Sequence, residues 1–146
     1  MERLIEPSEL MIGDYLKLGT LPFRVAQVTT PTVAGDLWDG FILENGVEDE
    51  GEPIPLTPKI MEALGFEHTH HLDHANECHI YSWASEKNKT HIMSAVFFRN
   101  ITDLRVFGTG SHFFLSRGTI YLHELQHAIK NCDIDFRVEL EYNDIR

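Results

Sequence analysis

The chain has 146 residues, of which 42% are hydrophobic and 24% charged, so it is long enough to bury the core of one globular domain. Its formal net charge is −11, and it lacks the lysine and arginine clusters that bind phosphate backbones or anionic membranes. No run approaches the ~18 apolar residues that span a bilayer. We therefore expect a single domain over residues 1–146 that binds neither nucleic acid by direct charge attraction nor membranes.

The N-terminus and the cysteines indicate the compartment. Residues 1–9 carry three glutamates and lack the apolar core of a secretion signal. Cys78 and Cys132 lie far apart in sequence, and in a reducing compartment they are expected to be free, small, buried apolar residues. We therefore expect a cytoplasmic protein.

The first third of the chain is predicted to form a curled antiparallel sheet or partial barrel. A turn at Gly13-Asp14 leads into a strand at 15–18, and its partner at 23–28 alternates with period two. Short strands are expected at 37–38 and 41–43. The following acidic stretch is interpreted as a solvated loop.

A helix of about two turns is the clearest local prediction. Thr57 is a natural N-cap, Pro58 suits the first helical position, and Gly65 can adopt the left-handed C-terminal cap. Three apolar residues give this helix one buried edge, namely Ile60, Met61 and Leu64. We expect a structural role for it.

Five histidines crowd into the next stretch, namely His68, His70, His71, His74 and His79. Neutral imidazole is a good ligand for zinc, nickel or copper. If this stretch is extended, however, adjacent His70 and His71 point to opposite sides, and a four-ligand site is hard to form. Metal binding by the cluster and a merely solvated stretch both stay open.

The middle of the chain is predicted to be an antiparallel meander with strands at 79–84, 91–98, 104–107 and 112–115. The Gly-Thr-Gly sequence between the last two strands is interpreted as a hairpin turn, because it is too short for a phosphate loop. The many phenylalanines here predict a packed core, since no basic residues interleave with the rings.

Only one pattern names a reaction, a His-Glu-x-x-His sequence at 123–127. On a helix it places two imidazoles one turn apart on a zinc ion, with a carboxylate beside the metal-bound water, as in a metallopeptidase. Under this hypothesis His123 and His127 are zinc ligands and Glu124 is the general base. The candidates for the third ligand are Asp133, Asp135, Glu139 and Glu141, of which Asp133 lies ten residues after His123, where the longer motif places its last ligand. The longer metallopeptidase motif has a turn glycine where this chain has Lys130.

Helical periodicity favours a different interpretation of the same segment. At ~100° per residue, Leu125, Ala128 and Ile129 fall on an apolar stripe almost opposite His123 and His127. We therefore expect a helix, capped by a preceding serine or threonine (Ser116 or Thr119), that turns both imidazoles toward solvent. This interpretation assigns no catalytic residue and no cofactor.

Four regions of the chain carry a family resemblance: Leu10–Tyr15 with Phe23–Val25, Pro53–Thr57, Leu64–Glu67 and Tyr121–Gln126. Together they resemble a family of small uncharacterised proteins of anaerobic gut bacteria and their prophages or mobile elements. In that family the last block usually reads Tyr-Val-His-Gln-Leu-Gln-Asn, so Glu124 and His127 depart from it. The resemblance implies a helix that works without metal ligands, and it assigns no activity.

An alternating segment at 134–142 predicts a closing strand. The expected fold class is therefore α+β, with an N-terminal curled sheet, a short helix, an antiparallel meander, one packed C-terminal helix and the closing strand. The expected function is that of a non-enzymatic binding or accessory protein of a phage or mobile element, with a protein partner. The alternative is a small zinc-dependent metallopeptidase.

Overall fold

The computed structural model describes residues 9–29, 40–73 and 76–145, and for residues 70–73, 76 and 77 it describes the backbone alone. The fold is α+β, as predicted. The chain divides into two compact units, Met1–Ile54 with Glu141–Arg146, and Pro55–Leu140. The expectation that 1–146 forms a single domain stays a prediction. Neither helix in the described ranges is long and apolar enough to cross a membrane.

The first unit contains an antiparallel sheet in the order β3-β2-β1-β4. Its strands are β1 (Tyr15–Leu18), β2 (Leu21–Thr29), β3 (Gly40–Leu43) and β4 (Glu52–Pro53). The predicted strands at 15–18, 23–28 and 41–43 are confirmed, whereas the predicted strand at 37–38 lies outside the described residues. Successive side chains along a strand point to opposite faces of the sheet, so one face can be buried. The buried core cluster contains Leu10, Leu16, Val25, Phe41 and Leu43.

The second unit begins with the predicted short helix, α1 (Pro58–Ala63). The Thr57 hydroxyl accepts a hydrogen bond from the Ile60 backbone N–H at 3.2 Å, which satisfies one of the N–H groups that a helix start leaves without an intrahelical partner. Gly65 takes a φ of 89° after the helix. Ile60 and Met61 are buried, so the predicted caps and the buried edge are confirmed.

An antiparallel meander in the order β5-β6-β7-β8-β9 follows. Its strands are β5 (Glu67–Asp73), β6 (Asn76–Ala84), β7 (Ile92–Phe98), β8 (Ile101–Gly108) and β9 (Ser111–Arg117). The four predicted strands correspond to β6 to β9, and β5 contains much of the histidine-rich stretch. The helix α2 (Leu122–Asn131) packs on one face of this sheet, where the Cys132 thiol contacts the Val106 carbonyl at 3.8 Å.

The predicted closing strand at 134–142 is wrong, because the described chain has no strand there. The segment nevertheless keeps the period-two pattern of burial, because Ile134 and Val138 are buried and Phe136 is half-buried, whereas the polar residues between them are exposed. The Phe136 ring lies edge-on to Phe66 at 5.5 Å and to Trp83 at 5.2 Å. A period-two pattern requires only that one side of an extended chain packs on a core, whereas a strand also requires a sheet edge with which to pair.

Candidate functional site

The structure buries His123, the first histidine of the predicted zinc motif. Its side chain is 2% exposed, so the expectation that it faces solvent is wrong. The Tyr121 ring stacks on it at 6.0 Å. The start of α2 also runs beside the segment before α1, since the Leu56 N–H donates to the Ile120 carbonyl at 2.7 Å. The first turn of α2 is therefore packed against other parts of the chain on its His123 side as well as on its apolar side.

Of the other two proposed zinc ligands, His127 lies beside His123 and Asp133 does not. The His127 ring is half-buried and stands at 71° to the His123 ring, with a centroid distance of 5.6 Å. Asp133 is exposed and follows the end of α2, which continues for eight residues after His123, a rise of ~12 Å. Two ligands of one zinc ion lie within ~4 Å of each other. Among the described residues, no three His, Cys, Asp or Glu side chains are grouped to hold a metal.

The Glu124 carboxylate turns back toward the start of α2. Its Oε1 accepts a hydrogen bond from the Tyr121 backbone N–H at 3.0 Å and forms an ion pair with Arg117. The N-cap is Tyr121, so the predicted cap by Ser116 or Thr119 is wrong. An acidic side chain at this position satisfies an otherwise unbonded N–H and interacts favourably with the positive end of the helix dipole. These contacts give Glu124 a structural role.

Two histidines of the predicted cluster form a direct hydrogen bond. His68 Nε2 lies 2.9 Å from His79 Nδ1, and the ring planes are within 19° at a centroid distance of 5.1 Å, so the rings lie edge to edge. One of these nitrogens must accept the hydrogen bond, which requires at least one neutral ring. The side chains of His70, His71 and His74 lie outside the described part of the chain.

A polar cleft, which we call the Trp83 cleft, opens at the end of the β5–β6 hairpin with a volume of about 490 Å³. Its lining residues are Gly65, Glu67, Ser82, Trp83, Ala84, Ser85, Glu86, Lys87 and Asp135. The Trp83 indole is held edge-on against Phe136. Three carboxylates and one ammonium group therefore share this cleft with an aromatic ring.

Sequence reasoning missed the Trp83 cleft. Its lining residues come from the turn after α1, from β5 and β6, from the turn after β6 and from the segment after α2. Trp83 was predicted correctly as part of a strand, but no local pattern relates it to Asp135, which lies 52 positions later. Only a long-range contact such as that between Trp83 and Phe136 brings these segments together.

Both cysteines in the described chain are free thiols, as predicted, and Cys132 is buried whereas Cys78 is half-buried.

No protein-family model matches this chain, and no curated protein or solved structure matches it either.

Proposed function

We propose that this chain is a non-enzymatic binding protein that holds a basic segment of a partner protein in the Trp83 cleft. The observation that carries the proposal is the presence of three carboxylates beside an accessible indole in a cleft of about 490 Å³. Following the family resemblance, we propose that it serves a phage or mobile element as an accessory protein. Two free thiols support a cytoplasmic location.

The chemistry of the cleft suits lysine and arginine side chains. Glu67, Glu86 and Asp135 are exposed, and carboxylates accept charge-assisted hydrogen bonds from ammonium and guanidinium groups. The half-buried Trp83 ring offers a surface for a cation–π contact and for the apolar stem of a long basic side chain. Lys87 is the one cation among the lining residues.

The net charge of the whole chain supports the same partner class. A charge of −11 attracts a basic partner over a distance of about a Debye length, ~8 Å at physiological ionic strength. Binding of a basic segment would therefore be steered by the whole chain and oriented by the cleft.

The test is a titration with a short lysine- and arginine-rich peptide, followed by tryptophan fluorescence. The chain has two tryptophans, so the Trp38→Phe background leaves Trp83 as the sole reporter. We expect saturable binding that weakens with added salt. The triple variant Glu67→Gln, Glu86→Gln, Asp135→Asn removes three exposed charge contacts worth up to ~1 kcal/mol each, and we expect roughly a tenfold loss of affinity.

A matched control makes the same total charge change at residues that do not line the cleft. The acidic loop of the first unit supplies it, as the triple variant Glu44→Gln, Glu48→Gln, Glu50→Gln. We expect this variant to lose at most about threefold in affinity, because it reduces long-range attraction alone. Equal losses in the two triple variants, or no loss in the cleft variant, would contradict the proposal.

A further inference from the structure

The face of the meander opposite α2 keeps large apolar side chains in solvent. Ile92, Ile101, Phe107 and Phe114 are 42%, 50%, 42% and 54% exposed. They alternate along their strands with buried residues such as Met93 and Val106, so they lie on the opposite side of the sheet. We call this surface the outer face. The predicted packed core of phenylalanines therefore does not include Phe107 and Phe114.

The outer face also carries a pair of opposite charges midway along β8, which lies beside the central strand β7. Asp103 and Arg105 lie two positions apart in β8 and therefore share this face. The Arg105 guanidinium lies over the Phe114 ring at 4.9 Å. Several large exposed apolar groups on one face of a sheet mark an interaction surface.

We propose that the outer face docks against the same face of a second copy of this chain. A two-fold contact requires that each residue meets a complementary one in the partner. For two facing sheets, the two-fold axis can lie in the plane of the interface and run perpendicular to the strands. We place it level with Leu104, which pairs with Ala95 in β7. Positions equally far from this level then oppose each other across the interface.

The resulting pairs in β8 and at the two ends of β7 are complementary, whereas Phe114 in β9 meets the second copy's Ser116. Within β8, Arg105 meets the second copy's Asp103, and Phe107 meets its Ile101. Within β7, whose register places Ile92 beside Phe107 and Phe98 beside Ile101, Ile92 meets the second copy's Phe98. The symmetry forms each pair twice. Opposite charges therefore meet midway along β8, and apolar groups meet toward both ends of β7 and β8.

The alternative in-plane axis, parallel to β8, gives poor pairing. It places Arg105 on the second copy's Arg105 and Asp103 on its Asp103, and like charges in contact across an interface are repulsive. Charge complementarity therefore favours the axis that crosses the strands over an axis that lies along β8. Packed sheets lie ~10 Å apart with their strands at about 30°, which leaves room for two layers of side chains.

The size of the face sets the expected affinity. Five strands about seven residues long and ~4.8 Å apart cover on the order of 500 Å² per copy. The total of about 1,000 Å² lies at the lower end for specific interfaces. We therefore expect a dimer that dissociates in the micromolar range and not a permanent one.

The test is sedimentation equilibrium of the full chain between about 1 and 300 µM, a range chosen to bracket that expectation. We expect concentration-dependent dimers for the native sequence. Arg105→Asp and Asp103→Arg each create two like-charge contacts, and each should weaken the dimer at least about tenfold. The double variant Asp103→Arg, Arg105→Asp restores opposite charges in swapped positions, and we expect its dissociation constant to return to within about threefold of the native value.

Arg137→Asp is the matched control, because it makes the same charge change at a side chain that is 78% exposed and lies outside the sheet. It should leave the dimer unchanged. The proposal is overturned if the native chain stays monomeric throughout, if the single variants dimerise as the native chain does, or if the double variant fails to recover. Circular dichroism of each variant verifies that the fold is retained. The double variant Glu86→Gln, Asp135→Asn changes two cleft residues that lie outside the strands of the sheet and should dimerise normally, so this test is independent of the proposed function.

Discussion

Tyr81 illustrates how one polar atom is accommodated in the core of the second unit. Its side chain is 2% exposed, and its hydroxyl donates a hydrogen bond to Glu62 Oε1 at 3.2 Å. The ring stacks on His68 at 4.7 Å and meets Phe97 edge-on at 5.9 Å. Burial raises the pKa of Tyr81 above 10, and the hydrogen bond and negative charge of Glu62 raise this pKa further.

The raised pKa predicts a specific response to alkali. Above pH 10 the unfolded chain releases this proton before the folded chain does, so the stabilising contribution is complete below pH 10 and falls as pH rises further. Tyr81→Phe removes the titrating group. We expect a loss of about 1 kcal/mol at pH 7.5 from the missing hydrogen bond, and a smaller further loss than in the native chain above pH 10.

Urea unfolding at pH 7.5, 9.5 and 10.5 measures both effects. Tyr142→Phe serves as the control, because the Tyr142 side chain is 64% exposed. Native and Tyr81→Phe curves that lose stability in parallel above pH 10 would show that Tyr81 titrates alike in both states. Such a result would contradict the inferred effect of burial.

At the scale of elements, the end of α2 lies against β8 at a glycine. A Cβ atom at Gly108 would overlap the backbone carbonyl oxygen of Cys132, and a backbone atom cannot swing away as a side chain does. The absence of a side chain at 108 therefore allows the helix end to approach the sheet, where the Cys132 thiol contacts Val106.

We expect Gly108→Ala to lower the free energy of unfolding by about 1–3 kcal/mol or more, since overpacking forces the helix and strand apart. Gly118→Ala is the matched control, because its Cβ would lie at an ordinary 3.5 Å from the Asn100 carbonyl oxygen. Chemical denaturation of the two variants measures the difference. Equal stabilities would mean that the helix end shifts without cost.

A second prediction at the scale of elements concerns Glu124, at the start of α2. Glu124→Ala removes the acceptor of the Tyr121 N–H and the partner of Arg117, and we expect a loss of about 1 kcal/mol. Glu124→Gln keeps an oxygen at the same position, so its cost should be smaller. Thermal unfolding measures both.

The two variants also separate the structural role of Glu124 from the metallopeptidase hypothesis. A general base is inactivated by Glu124→Gln even when stability is unchanged. Zinc-dependent peptide hydrolysis that disappears in Glu124→Gln, at native stability, would support the enzyme and contradict a purely structural Glu124.

At the scale of the whole molecule, the charge of −11 affects the two proposed contacts in opposite ways. Attraction between the acidic chain and a basic segment is screened by salt, so peptide binding should weaken between 50 and 300 mM sodium chloride, as the Debye length shortens below ~10 Å. Long-range repulsion between two acidic copies is screened as well. The dimer should therefore lose less affinity than the peptide complex over the same range.

Sequence alone determined the features that neighbouring residues decide. Thr57, Pro58 and Gly65 specify the ends of α1, since caps depend on backbone angles and on hydrogen bonds within a few positions. Alternation likewise predicted the hairpins of the meander. The α+β class follows from such local signals, because they set the order of elements along the chain.

Tertiary structure alone decided which faces are buried and which distant residues meet. His123 was expected in solvent, but enclosure of the first helical turn buries it. The period-two pattern after α2 packs on a core without pairing in a sheet, and the same kind of pattern leaves Phe107 and Phe114 exposed. Periodicity identifies the two sides of an element, whereas long-range packing determines what covers each side.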